Sequence, residues 1–135
     1  MSLIISCEHA SNRIPEQLEA LFHGHEEVLA THWGYDLGAA PLARFLAERL
    51  KAPLLLGQVS RLVVDCNRSL THPRLFSKFS RMLPPLTKEE IVAEWYLPYR
   101  NTVYHEVKKM VSANVDAIGY IKASSLDNSV KAVIK

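Results

Sequence analysis

Three short apolar runs constrain what this chain can fold into. Residues 3–7 read Leu-Ile-Ile-Ser-Cys, residues 54–56 Leu-Leu-Leu, and residues 62–64 Leu-Val-Val. Each is too short for a helix, so each is expected to form a buried strand. Between the first two lies a helical stretch, residues 38–50. There Leu42, Phe45, Leu46 and Leu50 recur at i, i+3, i+4 and i+8, with Arg44, Glu48 and Arg49 elsewhere. Lys51, Ala52 and Pro53 end it. This strand–helix–strand order predicts an α/β fold with a largely parallel sheet.

The remaining segments read more simply. Residues 11–15 form a turn, with Pro15 suited to the first position of a helix. Leu18, Leu21 and Phe22 then follow helical spacing up to a stop at Gly24. Residues 69–86 are polar and proline-rich, and long enough for a functional or lid loop. Thr87 and Glu90 match a capping box, which opens a long helix running to about Ala113. Pro98 is expected to kink or divide that helix. Residues 115–121 are compatible with a strand, and residues 124–135 are weakly patterned.

Composition excludes several roles. A chain of 135 residues suits one domain. Its 16 basic and 14 acidic residues leave a net charge of +2, too little for nucleic-acid or anionic-membrane binding driven by bulk charge. No stretch approaches the roughly 20 apolar residues of a membrane span. The first residues carry no basic n-region and reach Glu8 early, unlike a signal peptide. Cys7 and Cys66 are too few and too far apart for a disulfide scaffold or a Cys-x-x-Cys metal site. A reducing cytoplasm is the expected setting.

Open α/β sheets bind ligands at the carboxyl ends of their strands. Two polar clusters stand at such ends: Glu8-His9-Ala10-Ser11-Asn12, and Asp65-Cys66-Asn67-Arg68. In each, turn and cap chemistry competes with a functional role. His9 is a candidate metal ligand, with Glu8 and Asp36 as hard oxygen donors. It equally suits a histidine packed at a strand end. Glu8 and His9 point to opposite faces unless the strand has already ended. His32 stands near Asp36. His23 and His25 fit a helix end on the surface, His72 a loop and His105 a helix surface. Arg61, Asn67 and Arg68 could hold a carboxylate, since guanidinium binds one through a planar fork. The competing reading is a salt bridge to Asp65 or Asp36. Ser6 and Ser11 lie close to His9, but no Gly-x-Ser-x-Gly elbow supports a serine nucleophile. Neither a P-loop nor a Gly-x-Gly-x-x-Gly turn is present, so nucleotide binding has no support.

Three segments in order carry a family resemblance. Ile5-Ser6-Cys7-Glu8-His9-Ala10-Ser11-Asn12-Arg13-Ile14-Pro15 resembles the opening motif of the N-formylglutamate amidohydrolase family. Thr31-His32-Trp33-Gly34-Tyr35-Asp36-Leu37-Gly38-Ala39 resembles the second motif, and residues 60–69, with Asp65-Cys66-Asn67-Arg68, the third. The likeness runs from about Leu3 to about Val111. It implies a three-layer α/β/α sandwich with a mostly parallel sheet, related to zinc-dependent exopeptidases. It implies hydrolysis of the amide of N-formylglutamate or a similar N-acyl amino acid, giving formate and glutamate, late in histidine breakdown. Carried onto this chain, His9 becomes a zinc ligand. The carboxylate ligand is Asp36 or Glu8. Asp36 is preferred because it comes from a separate segment, which leaves Glu8 as the catalytic candidate. Ser11, Asn12, Arg61, Asn67 and Arg68 become substrate-binding residues.

The resemblance also has a departure. Family members continue past the long helix into a strand that ends in a second histidine ligand, whereas this chain has no histidine after His105. A catalytic zinc usually takes three protein ligands. The expectation is therefore a C-terminally shortened or divergent member, with residues 1–113 as the α/β domain and residues 114–135 as a divergent tail. Two functions remain in play: a zinc amidohydrolase, and an inactive relative binding an acidic ligand through Arg61, Asn67 and Arg68. Exposed edges left by missing strands favour a homodimer.

Overall fold

The computed structural model describes residues 3–113 of the chain. They form a mixed α/β fold with a small parallel sheet and several helices. Strand β1, Ile5–Cys7, lies beside β2, Leu54–Leu56, in parallel register Ile5 to Leu54, Ser6 to Leu55 and Cys7 to Leu56. A 3-10 helix, Glu16–Phe22, and a short helix α1, Glu26–Leu29, follow β1. Helix α2, Ala39–Leu50, then makes the crossover. Its C-cap, Lys51, adopts a left-handed conformation (φ 50°), and the next amide, of Ala52, returns to the Ala47 carbonyl. That turn delivers Pro53 to β2, where the Pro53 carbonyl accepts from the Ile5 amide. No helix among the described residues is long and apolar enough to cross a membrane.

Two sequence expectations need correction here. Helix α2 buries Ala43 and Ala47, and leaves Leu42, Phe45 and Leu50 exposed. Small side chains let the helix approach the two strands closely, so Leu42 and Phe45 face outward while Leu46 is half-buried. Residues 62–64 are not a strand. They are a turn at the centre of the core, with Val63 and Val64 fully buried. Amides of Val63 and Val64 return to the Ser60 carbonyl, and the Leu62 amide donates to Ser60 Oγ. The Leu62 and Val63 carbonyls accept from the Ser80 hydroxyl at 3.1 and 2.8 Å, and Leu62 also accepts from Ser77. Hydroxyls thus supply partners that a neighbouring strand would otherwise give.

The core gathers around that turn. Leu18 and Phe22 from the 3-10 helix, Leu75, Ile91, Tyr96 and Tyr99 pack with Val59, Val63 and Val64. The C-terminal helical run begins earlier than its capping box suggests. Helix α3 is Pro85–Ile91, and Pro84 rather than Thr87 is its N-cap. A π-helical turn, Val92–Tyr96, joins it to α4, Leu97–Ala113. Pro98 has no amide hydrogen to give to the preceding turn, and the widened turn just before it absorbs that loss without ending the helix. The expected strand at residues 115–121 and the tail at 114–135 lie outside the described residues.

Candidate functional site

The site is assembled from three chain segments that meet beyond β1. Residues 8–13 leave the strand and are fastened at both ends. The Asp36 amide donates to the His9 carbonyl at 3.0 Å, and the Ser60 amide donates to the Arg13 carbonyl at 2.8 Å. The second segment is fixed by Ser60 Oγ, which donates to the Gly34 carbonyl at 2.8 Å. Gly34 must be glycine, because a Cβ there would overlap the backbone of Leu29. The third segment carries Asp65, whose amide donates to the Leu75 carbonyl at 2.9 Å. Tyr96 holds its far end by donating to the Arg68 carbonyl at 2.7 Å.

His9 is the meeting point. It is buried, and both ring nitrogens face carboxylates. Nε2 lies 2.7 Å from Asp65 Oδ1, and Nδ1 lies 3.2 Å from Asp36 Oδ2. Ionised carboxylates only accept, so in the absence of metal both ring nitrogens donate and His9 is held as a cation. The hydrogen bond to Asp65 is the main cause that raises the His9 pKa, against the opposing effect of burial. Burial pushes the Asp65 pKa up, but the His9 hydrogen bond and the Asn67 amide outweigh it and hold the carboxyl below its ordinary value. Asn67 contributes that amide at 2.9 Å from Asp65 Oδ1.

Two arginines close the cluster. Arg61 Nη1 lies 3.2 Å from Asp36 Oδ1, and its Nη2 lies 3.8 Å from Asp65 Oδ2. Arg68 Nε lies 3.5 Å from the same Asp65 oxygen. The salt bridges weighed as the competing reading for these arginines are thus present. Asp65 is buried, Asp36 is half exposed and both guanidinium groups reach the surface.

The structure therefore brings together His9, Asp36, Arg61 and Arg68, with the Asn67 backbone. It pairs Glu8 with different neighbours. Its Oε1 accepts from the Tyr99 hydroxyl at 3.1 Å and from Ser6 Oγ at 3.2 Å. Burial, and then the charge of Glu8, raise the Tyr99 pKa, so its hydroxyl stays a donor. Ser11 Oγ accepts from the Arg13 amide at 3.0 Å and shapes the turn, while Asn12 is exposed. Among the other histidines, the His25 ring packs on Phe79, the His32 ring on Trp33, and His72 Nδ1 accepts from the Arg74 amide. Asp65 is the residue that sequence reasoning underrated, placing it in a strand-end cluster and as a salt-bridge partner but giving it no role at the site. Its signal was a lone acid directly after a wholly apolar run and directly before Cys-Asn-Arg.

Part of a metal site fits this geometry. Two ligands of one tetrahedral zinc, each at about 2.0–2.1 Å, are about 3.3 Å apart. The 3.2 Å separation of His9 Nδ1 and Asp36 Oδ2 matches that edge. A carboxylate on the other nitrogen of a ligating histidine is the usual supporting arrangement, and Asp65 stands there. Among the described residues, no group of three or more His, Cys, Asp or Glu side chains is arranged to hold a metal ion.

The N-formylglutamate amidohydrolase family model matches residues 1–132. This chain belongs to that family. The match runs into the residues that sequence reading set apart as a tail. The crystal structure of gene product Atu2144 from Agrobacterium tumefaciens resembles the chain with a TM-score of 0.72 and 29% sequence identity. The likeness covers 82% of this chain and 46% of that one, so the chain spans less than half the length of that relative. Among curated proteins, none matches this chain significantly.

Proposed function

We propose that this chain serves a metal-dependent amidohydrolase that cleaves the formyl or acyl amide of an N-acyl amino acid. On an N-formylglutamate-like substrate, water is consumed and formate and glutamate are released. The observation that carries this reading is the His9 ring set between Asp36 and Asp65, within a chain of this family. His9 and Asp36 would be two of the ligands of a zinc ion. When bound, zinc supplies polarisation of the amide carbonyl and a water of lowered pKa. We further propose that the two-stranded sheet belongs to a three-layer α/β/α sandwich, and that the protein works in the cytoplasm.

The chain's own groups each have a part. Asp65 accepts from His9 Nε2, which fixes the ring's orientation and frees Nδ1 for the metal. Arg61 bridges Asp36 and Asp65 and sets a positive charge beside both carboxylates. Arg68 and Asn67, with Ser11 and Asn12, would take the carboxylates of an acidic substrate through charge-assisted hydrogen bonds. Glu8 would move a proton at the reacting centre, its carboxylate oriented by Tyr99 and Ser6.

A second reading is a family member that binds an acidic ligand without turning it over. The absence of a three-ligand group among the described residues favours it. One experiment separates the two. The full chain, supplied with zinc, is given N-formyl-L-glutamate, and formate release and ligand binding are both measured. Turnover, with a KM raised in Arg68→Ala and folding unchanged, supports the amidohydrolase. Binding without turnover supports the second reading, and neither binding nor turnover removes both.

A further inference from the structure

The net charge of +2 conceals an uneven distribution. Residues 66–88 carry five basic side chains, Arg68, Arg74, Lys78, Arg81 and Lys88, and no aspartate or glutamate. The whole chain has 16 basic and 14 acidic residues, so everything outside this segment holds 11 basic and 14 acidic and is net negative. Arg68 pairs with Asp65 at the site. Among the described residues, the other four form no ion pair. Lys78 and Lys88 rest instead on the rings of Phe79 and Phe76. Arg74, Lys78 and Arg81 are exposed. The segment is also fastened beside the site. The Leu75 carbonyl accepts from the Asp65 amide at 2.9 Å, so the backbones of Arg74 and Asp65 are within about 10 Å of each other. Ser77 Oγ donates to the carbonyl of Leu62, the neighbour of Arg61, and the Arg81 amide donates to the Ser77 carbonyl at 2.8 Å. Charges act over about 10 Å at 0.1 M salt and about 30 Å at 0.01 M.

We propose that Arg74, Lys78 and Arg81 form an electrostatic guide that draws doubly charged anions to the His9 cluster without touching the bound molecule. Uncompensated cations beside a site raise the local concentration of anions and speed their arrival. The guide acts before contact, so it favours a dianion over a monoanion of the same shape. The identity of that dianion as an N-acyl amino acid rests on the amidohydrolase reading, whereas the field itself does not.

The field can be read without turnover. Amide proton relaxation of the full chain is recorded at low salt with an anionic and a neutral nitroxide of similar size. Residues 8–12 and 66–68 should feel the anionic probe several-fold more strongly. A variant combining Arg74→Gln, Lys78→Gln and Arg81→Gln should lose that excess at unchanged circular dichroism. The kinetic consequence is measured on the zinc-supplied chain with N-formyl-L-glutamate and N-formyl-L-glutamine, which differ by one charge. At low salt the triple variant should lower kcat/KM for the glutamate substrate about tenfold, through KM and with kcat unchanged. Its salt dependence should flatten, and the loss on the glutamine substrate should be smaller. Combining Arg74→Lys, Lys78→Arg and Arg81→Lys keeps the charges and should keep the wild-type values. Equal relaxation by the two nitroxides, or a triple glutamine variant with wild-type salt dependence, overturns the guide and leaves the amidohydrolase reading standing. An anion excess in a chain that never releases formate supports the guide and removes the amidohydrolase reading.

Discussion

Asp65 Oδ1 sits 2.7 Å from His9 Nε2, while the other side of the same ring faces Asp36 at 3.2 Å. One carboxylate thus orients the imidazole and the other shares the edge on which a metal would sit. Asp65→Asn keeps the size of the side chain and removes its charge. It should weaken zinc binding by about 10–100-fold, the usual effect of losing such a supporting carboxylate. Competition against a chromophoric chelator measures it. Unchanged affinity would show that Asp65 orients nothing.

The same pair sets the pH dependence of the metal-free protein. The folded-state pKa of His9 is raised above its ordinary 6.5, so its contribution is complete below 6.5 and lost as pH rises through the higher folded value. That of Asp65 is lowered from its ordinary 3.8, so its contribution is complete above 3.8 and lost as pH falls through the lower folded value. Thermal melts in chelator should therefore give the highest Tm between these two ordinary values, falling on both sides. Asp65→Asn should flatten the profile. A Tm still rising well above neutral pH in the wild type would contradict the assignment.

Ser80 is fully buried, and its hydroxyl is shared between the Leu62 and Val63 carbonyls. Ser80→Ala leaves buried acceptors short of a donor, at a cost of about 1–3 kcal/mol. Urea denaturation should show a lower midpoint at an unchanged slope. A midpoint equal to that of the wild type would mean that other groups satisfy these carbonyls.

Ser80 also shows why part of the fold was not legible. The apolar pattern of residues 62–64 correctly marked burial, but burial alone does not distinguish a strand from a turn. The difference is made by Ser60, Ser77 and Ser80, and two of these are more than ten residues away in sequence. Helix α2 was legible in extent and misread in orientation, because its stripe of large side chains is more conspicuous than Ala43 and Ala47. The parallel β1–β2 pair was readable from its short apolar runs. At the site, the ends of apolar runs singled out the clusters of residues 8–12 and 65–68, although the run at 62–64 is a turn and not a strand. The role of Asp65 as their hub depends on a contact across 56 residues. The pairing of Glu8 with Tyr99 spans 91 residues and had no local signal.

Gly57 ends β2 beside the loop that carries the site. Its amide donates to the Cys7 carbonyl at 2.9 Å, and a Cβ there would overlap the Glu8 carbonyl. Backbone on both sides leaves nothing to move out of the way. Gly57→Ala should cost about 3 kcal/mol or more, at the upper end for a single substitution. It should also weaken metal binding more than an equally destabilising change in α4. Chemical denaturation paired with zinc titration tests both effects, and a stable variant with normal affinity would show that β1 and β2 can separate here.

The most direct test of the account is the zinc stoichiometry and affinity of the full chain, measured by competition titration and checked by elemental mass spectrometry. The account predicts about one zinc per chain, bound more weakly as pH falls because His9 Nδ1 must give up its proton. It also predicts loss of that zinc in both His9→Ala and Asp36→Asn. Stoichiometric zinc retained by either variant, or none bound by the wild type at neutral pH, would contradict it.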